Sequence, residues 1–181
     1  MNNAPELQRW FGVARHTYAV VDAQALPQIG DMLSAAGLGL AEWSRLQRGG
    51  AALEAAQAWC VQLEPAHAFS HWLLAGEGAR VEDWGVLAFS DAPFRPVREH
   101  LRGLLEAQLP GRERVALRWY KPMLMRALLP LCAPSQLEQV FGPLTAFALP
   151  DATGATGGTW LRMLGGALDV QLAAAAPRAA A

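Results

Sequence analysis

The chain has 181 residues, of which 52% are hydrophobic and 17% charged, a balance that predicts one folded domain with a sizeable core. Its formal net charge of −1 gives no general attraction to nucleic acid or anionic lipid, so neither partner is expected. The N-terminal stretch MNNAPELQRW lacks the pattern of a signal peptide, and no apolar run is long enough to span a bilayer. We therefore expect a cytoplasmic protein, with Cys60 and Cys132 as reduced thiols.

The first half of the chain begins with a predicted strand, TYAVVDA (Thr17–Ala23), which is apolar on both faces like a covered central strand. Apolar residues at helical spacing from Leu26 to Leu33 predict a helix that ends near Gly37. LAEWSRL (40–46) is compatible with a strand, and residues 49–58 remain ambiguous between a loop and a helix.

Three further elements are predicted in the middle of the chain. WCVQL (Trp59–Leu63) reads as a strand, and a helix follows from Pro65 until the glycines at 76–78 end it. WGVLAF (Trp84–Phe89) is another doubly buried strand. A strongly amphipathic pattern from Val97 to Leu105 predicts the next helix.

The C-terminal third opens with VALRWYKPMLMRALLPLC (Val115–Cys132), in which a strand turns through a proline into a helix that is apolar nearly all round. A helix is predicted in PSQLEQVFGP (134–143), and a short hairpin around Gly165-Gly166. We expect an α/β domain over residues 1–148, and a flexible loop, the hairpin and a low-complexity tail over residues 149–181.

The alternation of strands and helices predicts an α/β fold with a mixed, largely parallel sheet flanked by helices and a C-terminal β-hairpin extension. In a parallel sheet the ends of the strands meet at one edge, where ligands usually bind. Five polar side chains would lie at that edge: Asp22, Ser90, Asp91, Tyr120 and Lys121.

Motifs for catalysis and metal binding are weak in this sequence. His67 and His71 have the spacing of a helical zinc pair, but Ala68 stands where a zinc protease has its glutamate. His16 and His100 add no ligand-like spacing, and the chain contains neither a G-x-S-x-G nucleophile motif nor a phosphate-binding loop. No catalytic residue, metal ligand or cofactor is predicted.

The polar cluster in Val115–Tyr120 has three interpretations. Strand alternation places Arg118 and Tyr120 on one face, where Arg118 would pair with Asp22 or Asp91 and clamp strand ends, with Tyr120 capping the pair. The cluster would alternatively be a docking point for a partner. In the third interpretation the same four side chains bind an anionic small molecule in an enzyme.

Seven tryptophans are many for a chain of this length, and a small domain has difficulty burying all of them. Tryptophan is also a frequent anchor of protein interfaces, so we expect some of these indoles at a binding surface. The candidate partner-binding residues are Trp10, Trp43, Trp72, Trp160, Trp119 and Lys121.

Six short elements occur in order between Tyr18 and Leu144: YAVVDA, SHWLL, WGVLAFSDAP, REHLRGLL, RWYKPMLMRALLP and FGPL. This ordered set resembles the type VI secretion adaptor family, which is filed as domain of unknown function 4123. One departure is plain, because Lys121 stands where the family usually has an aspartate before the proline. The matching positions are Ser70, Trp72, Leu73, Trp84, Gly85, His100, Leu101, Arg102, Arg118, Trp119, Tyr120, Pro122, Phe141, Gly142 and Pro143.

This resemblance implies a non-enzymatic chaperone of a Gram-negative bacterium. Such a protein holds a secreted toxic effector in the cytoplasm and delivers it to the VgrG protein at the tip of the secretion spike. Two alternatives stay open from the residues: a small-molecule enzyme with the Arg118 cluster as its site, and an immunity protein that neutralises a toxin. An immunity protein would block the effector's active site, which an activity assay distinguishes from loading.

Overall fold

The computed structural model describes residues 7–39, 42–46, 57–109, 111, 113–150 and 158–173. Within these residues the helices are α1 (Ile29–Ala35), α2 (Ala68–Ala75), α3 (Phe94–Gly103), α4 (Pro122–Leu128) and α5 (Pro134–Phe141). Short 3-10 turns cover Gly78–Arg80 and Leu129–Leu131. The strands are β1 (His16–Asp22), β2 (Trp43–Leu46), β3 (Ala58–Leu63), β4 (Gly85–Ser90), β5 (Glu106–Gln108), β6 (Arg114–Ala116), β7 (Ala146–Pro150), β8 (Gly158–Leu164) and β9 (Ala167–Ala173).

Within the described residues, seven strands form one sheet in the order β2-β3-β1-β4-β7-β8-β9, and β5 pairs with β6 in a separate hairpin. Every strand pair in both sheets is antiparallel. The prediction of a largely parallel sheet is therefore wrong. The inner strand β1 pairs with β3 and β4, which come later in the chain. The long connections between these strands let each one run against its neighbour.

Helices cover both faces of the large sheet. In β1, Tyr18 and Val20 belong to the core beneath α3, α4 and α5. Ala19 and Val21 belong to the core beneath α1, α2 and the N-terminal turn at Leu7. Strands that are apolar on both faces usually indicate a parallel sheet. Here the same pattern results from an antiparallel sheet between two layers of helices.

Most of the predicted elements are confirmed within the described residues. The strands β1, β3 and β4, the helices α3 and α5 and the C-terminal hairpin lie close to their predicted ranges. Gly37 adopts a φ of +72° after α1, as expected of a residue that ends a helix. α2 begins at Ala68 rather than at Pro65. Predictions for residues 49–56, 151–157 and 174–181 lie outside the described residues.

The largest local error concerns VALRWY. The strand in this region is Arg114–Ala116, so it includes only the first two residues of VALRWY, and it pairs with Glu106–Gln108 outside the main sheet. Trp119 and Tyr120 follow it in a turn, so their orientation does not come from strand alternation.

The C-terminal hairpin is continuous with the main sheet. β8 pairs with β7, and β9 pairs with β8. The predicted division at residue 148 falls inside β7 (Ala146–Pro150).

Among the residues that the structure describes, no helix combines the length and the apolar character needed to cross a membrane.

Candidate functional site

A buried carboxylate with two cationic partners lies at the end of β1. The Asp22 side chain is fully buried, and Arg118 Nη2 donates to both of its oxygens at 3.2 and 3.0 Å. Lys121 Nζ lies 3.0 Å from Oδ2, and the backbone N–H of Gln24 donates to Oδ1 at 3.0 Å. The prediction that Arg118 pairs with Asp22 or Asp91 is thus confirmed for Asp22. The cluster carries one formal positive charge, because two cations share one carboxylate.

Arg118 connects this ion pair to a buried tyrosine. Its Nε donates to Tyr120 Oη at 3.3 Å, and its Nη2 also donates to the Gln24 side-chain oxygen at 2.7 Å. Burial acts to lower the pKa of Arg118, but the bond to Tyr120 and the charge of Asp22 raise the pKa overall. Burial raises the pKa of Tyr120, which the bond from Arg118 offsets only in part. Tyr120 is therefore a neutral hydroxyl that accepts from Arg118, as the predicted capping role requires.

Asp91 is not part of this cluster. In the antiparallel pairing of β1 with β4, His16 is opposite Ser90. Asp22 and Asp91 therefore lie near opposite ends of the strands, and Asp91 accepts instead from the backbone N–H of Arg15 at 2.8 Å. The expectation that the polar strand ends share one edge depended on parallel pairing and is wrong. The four-residue anion site of the enzyme interpretation is not assembled.

Trp84 and Gly85 hold the backbone at Asp22. The N–H of Asp22 donates to the carbonyl of Trp84 at 2.8 Å, and the indole of Trp84 is buried in the core. Gly85 has a φ of +148°, and a Cβ at this position would overlap the carbonyl oxygen of Val20. This approach requires glycine, so the tryptophan-glycine element sets the position of the buried carboxylate.

A second group of family positions joins α3 to the end of α5. His100 Nε2 lies 2.9 Å from the carbonyl oxygen of Val140, and its ring packs against Gly142. Gly142 has a φ of +49°, and any Cβ there would overlap the imidazole. The carbonyl of Pro143 accepts from the Ser90 hydroxyl at 2.6 Å, which ties the end of β4 to the same corner. The family positions around His100 and those at Phe141–Pro143 therefore have a structural role.

The remaining family positions also make internal contacts. Leu73, Leu101, Phe141 and Pro122 are buried, the last at the first turn of α4. The buried Ser70 hydroxyl accepts from the N–H of Glu64 at 3.2 Å, whereas the Arg102 guanidinium pairs with Glu99 on the surface of α3 at 2.5 Å.

Most of the tryptophans are in the interior rather than at a surface. Trp10 and Trp160 stack with ring centroids 5.6 Å apart and are 3% and 1% exposed. Trp119 is 5% exposed, so the expectation of an open aromatic surface that includes these three residues is wrong. Trp43 and Trp72 are half-buried; Trp43 donates to the carbonyl of Leu38 at 3.1 Å, and Trp72 packs against Phe69.

Exposed apolar residues occur instead along α4 and the 3-10 turn after it. Met123 is 68% exposed and Leu131 is 81% exposed, with Leu128 between them in sequence. An apolar pocket opens beside Leu128; its lining also includes Leu104, Leu117, Trp119, Leu124, Met125, Leu129, Cys132 and Val140. We call these three exposed side chains and the pocket the α4 surface.

Sequence reasoning did not assign the α4 surface, although the signal was present. Residues 122–131 are apolar nearly all round the helix, while a surface helix buries only one stripe. Met125 and Leu129 take the buried side here, so the surplus apolar side chains face solvent. The surface is built from methionine and leucine rather than from the expected tryptophan.

The described residues contain no group of three or more histidine, cysteine or acidic side chains arranged to hold a metal ion. His67 precedes α2, and His71 lies one turn into it as an exposed residue.

The described residues thus form an α/β fold in which Asp22, Arg118 and Tyr120 bond to one another and apolar side chains of the α4 surface are exposed. Residues 17–139 match the family model described as domain of unknown function (DUF4123). The chain belongs to this family, since the match covers well over half of its 181 residues. Comparisons with curated proteins and with solved structures found no match.

Proposed function

We propose that this protein is a non-enzymatic adaptor that binds a type VI secretion effector in the cytoplasm and loads it onto the VgrG spike tip. Support for the system and its partners comes from the resemblance of the family elements between Tyr18 and Leu144. The structure adds a reason to look for a binding role. Arg118, Tyr120 and Asp22, the side chains that would form an enzymatic site, bond to one another within the fold.

The observation that carries the proposal is the α4 surface. Single exposed apolar residues are ordinary. Three exposed apolar side chains within residues 123–131, one of which lines an open apolar pocket, are typical of protein interaction sites. Methionine and leucine side chains adapt to differently shaped partners better than rigid aromatic rings do. We assign the effector to this surface, with apolar side chains of the effector entering the pocket beside Leu128.

The charges near α4 define the complementary chemistry. Between residues 114 and 137 every charged side chain is basic: Arg114, Arg118, Lys121 and Arg126. Asp22 neutralises one of these charges and Glu106, 3.6 Å from Arg114, neutralises another. Because Arg118 and Lys121 share the single carboxylate of Asp22, one formal positive charge remains at the start of α4. This charge favours an effector segment that is apolar on one side and acidic at its margin.

A co-purification experiment tests this assignment. The full chain is expressed with the effector encoded beside its gene, and complex formation is followed by size-exclusion chromatography. Leu131→Lys and Met123→Lys are expected to abolish the complex, because each places a charge in the apolar contact, while urea unfolding midpoints stay at the wild-type value. Leu164→Lys is the matched control, since Leu164 is 53% exposed on the C-terminal hairpin; it should bind normally.

Loading needs a second measurement. The purified complex is mixed with the VgrG protein, and a ternary complex is expected that retains the effector. If the wild-type chain binds neither effector nor VgrG, the adaptor function is refuted. If binding occurs but both α4 variants bind like wild type, the function stands and its assignment to the α4 surface is refuted. Inhibition of the effector's enzymatic activity in the complex, with no ternary complex, would favour an immunity protein.

A further inference from the structure

The strand β9 is an open edge of the main sheet. It pairs with β8 on one side, and no described strand pairs with its other side. Two of its apolar side chains point into solvent, since Val170 is 49% exposed and Leu172 is 85% exposed. A long exposed apolar edge normally pairs with another strand unless charges, proline or a bulge protect it. Asp169 is the only charged residue of β9, so this protection is slight.

The hairpin geometry determines which backbone groups the edge offers. β8 and β9 are joined by Gly165-Gly166, both at positive φ, so Leu164 and Ala167 flank a two-residue loop and form a hydrogen-bonded pair. Hydrogen-bonded positions alternate along an antiparallel ladder. The N–H and C=O groups of Leu168, Val170 and Leu172 therefore point away from β8, towards the open edge. Among the described residues, no backbone hydrogen bond uses them.

The sequence of β9 is nearly a palindrome. It reads ALDVQLA, so inversion about Val170 exchanges Ala167 with Ala173 and Leu168 with Leu172. The two remaining positions, Asp169 and Gln171, differ but are complementary. A carboxylate accepts hydrogen bonds and an amide nitrogen donates them. Within one strand this bond already exists, from Gln171 Nε2 to Asp169 Oδ2 at 2.8 Å.

From this symmetry we infer that β9 pairs with β9 of a second copy of the chain, antiparallel and centred on Val170. A two-fold axis perpendicular to the sheet places each Leu168 opposite the partner's Leu172, with all of these apolar side chains on one face. Each Asp169 is opposite the partner's Gln171 on the other face. The outward backbone groups at 168, 170 and 172 then form hydrogen-bonded pairs, and the two sheets become one.

The occupant is a second copy rather than an unrelated strand because the edge is complementary to itself in three respects. The apolar stripe matches itself, the polar pair matches itself, and the hydrogen-bonding positions coincide under the same two-fold axis. A strand from another protein would need none of these coincidences. This inference does not depend on the adaptor function, since it uses no residue of the α4 surface.

Sedimentation velocity over a range of protein concentrations tests the pairing. The wild-type chain is expected to show a monomer–dimer equilibrium. Val170→Lys and Val170→Glu each place like charges opposite one another at the two-fold axis, so each should raise the dimer Kd by about tenfold or more. An equimolar mixture of the two variants should restore a dimer, because lysine then lies opposite glutamate. This rescue is specific to a pairing centred on Val170.

Leu164→Lys is again the matched control, because Leu164 has nearly the exposure of Val170 but lies on β8 beside the turn; its Kd should equal that of wild type. Leu172→Lys, at a more exposed site, is a second probe if a variant at 170 unfolds. The inference is overturned by a wild-type chain that remains monomeric at every concentration, by Val170→Lys dimerising like wild type, or by a mixture that stays monomeric. If the wild-type chain is monomeric and Val170→Lys no longer binds the effector, the open edge of β9 is the effector's binding site instead.

Discussion

The ion pair at Asp22 makes a quantitative prediction about how this domain is stabilised. Asp22 is fully buried, whereas the Arg118 and Lys121 side chains are 27% and 30% exposed. Removal of the buried charge in Asp22→Asn leaves two cations facing each other across a neutral amide. Removal of one cation leaves the carboxylate with the other. The three single substitutions should therefore have unequal costs.

The expected magnitudes follow from burial and from the bonds that remain. Loss of one member of a buried pair costs about 3–5 kcal/mol, and Asp22→Asn should be at about 3 because both cations regain water. Arg118→Met should cost about 2 kcal/mol, since it removes the hydrogen bonds to Asp22, Gln24 and Tyr120 but leaves Lys121 as the counter-charge. Lys121→Met should cost under about 1 kcal/mol, because Arg118 still holds both carboxylate oxygens.

Urea denaturation at neutral pH measures these free energies, with the slope of each transition used to check two-state behaviour. The double variant Asp22→Asn, Arg118→Met should cost at least about 1 kcal/mol less than the sum of its single variants, because both remove the same pair. Additive losses would refute the coupling, as would an Asp22→Asn variant that is as stable as wild type. If Lys121→Met and Arg118→Met lower the free energy of unfolding equally, the conclusion that Arg118 is the stronger partner of Asp22 is refuted.

Two further substitutions test other contacts of the fold. Gly142→Ala should lower the free energy of unfolding by about 2 kcal/mol or more, from a left-handed φ and overlap with His100; a loss below about 0.5 kcal/mol would contradict the close packing seen here. Burial raises the pKa of the Cys60 thiol from 9.0 to about 12, so the native state binds this proton more tightly than the unfolded state. The resulting stability is complete below pH 9.0 and is lost towards pH 12, by up to about 1.4 kcal/mol per pH unit. Urea titrations from pH 9.0 to 12 should show that the free energy of unfolding falls less with pH in Cys60→Ala than in wild type. An equal fall with pH in both proteins would contradict a buried thiol.

Local structure was largely readable from the sequence, because it depends on local patterns. The apolar strands β1 and β4, the amphipathic α3 and the glycine after α1 all follow from side-chain spacing and backbone freedom. The direction of a strand relative to its neighbours does not follow from such local patterns. A strand covered on both faces has the same apolar pattern whether its neighbours are parallel or antiparallel, so β1 gave no signal of its pairing.

The error in strand direction affected one of the two expected partners of Arg118 and not the other. Arg118 was expected to pair with Asp22 or Asp91, because a buried arginine needs a carboxylate partner, and the pair with Asp22 is observed. The alternative partner Asp91 was wrong, because its position depended on the direction of β4 relative to β1. Trp10 and Trp160 were misplaced for a different reason. Residue type alone does not distinguish an interface anchor from a core residue, and these two indoles stack inside the fold.

Lys121 stands where the resemblance implies an aspartate, and the geometry of the Asp22 cluster gives a physical reason why lysine fits this position. The usual aspartate would place a second carboxylate beside buried Asp22, and two such charges repel unless further cations are present. In this chain the Lys121 ammonium is 3.0 Å from Asp22 Oδ2, and Arg118 already holds both oxygens of that carboxylate. Lysine therefore adds attraction at a site that Arg118 has organised, and it leaves the cluster positive where it meets solvent beside α4. Lysine at this position thus fits the ion pair and adds positive charge next to the proposed effector surface.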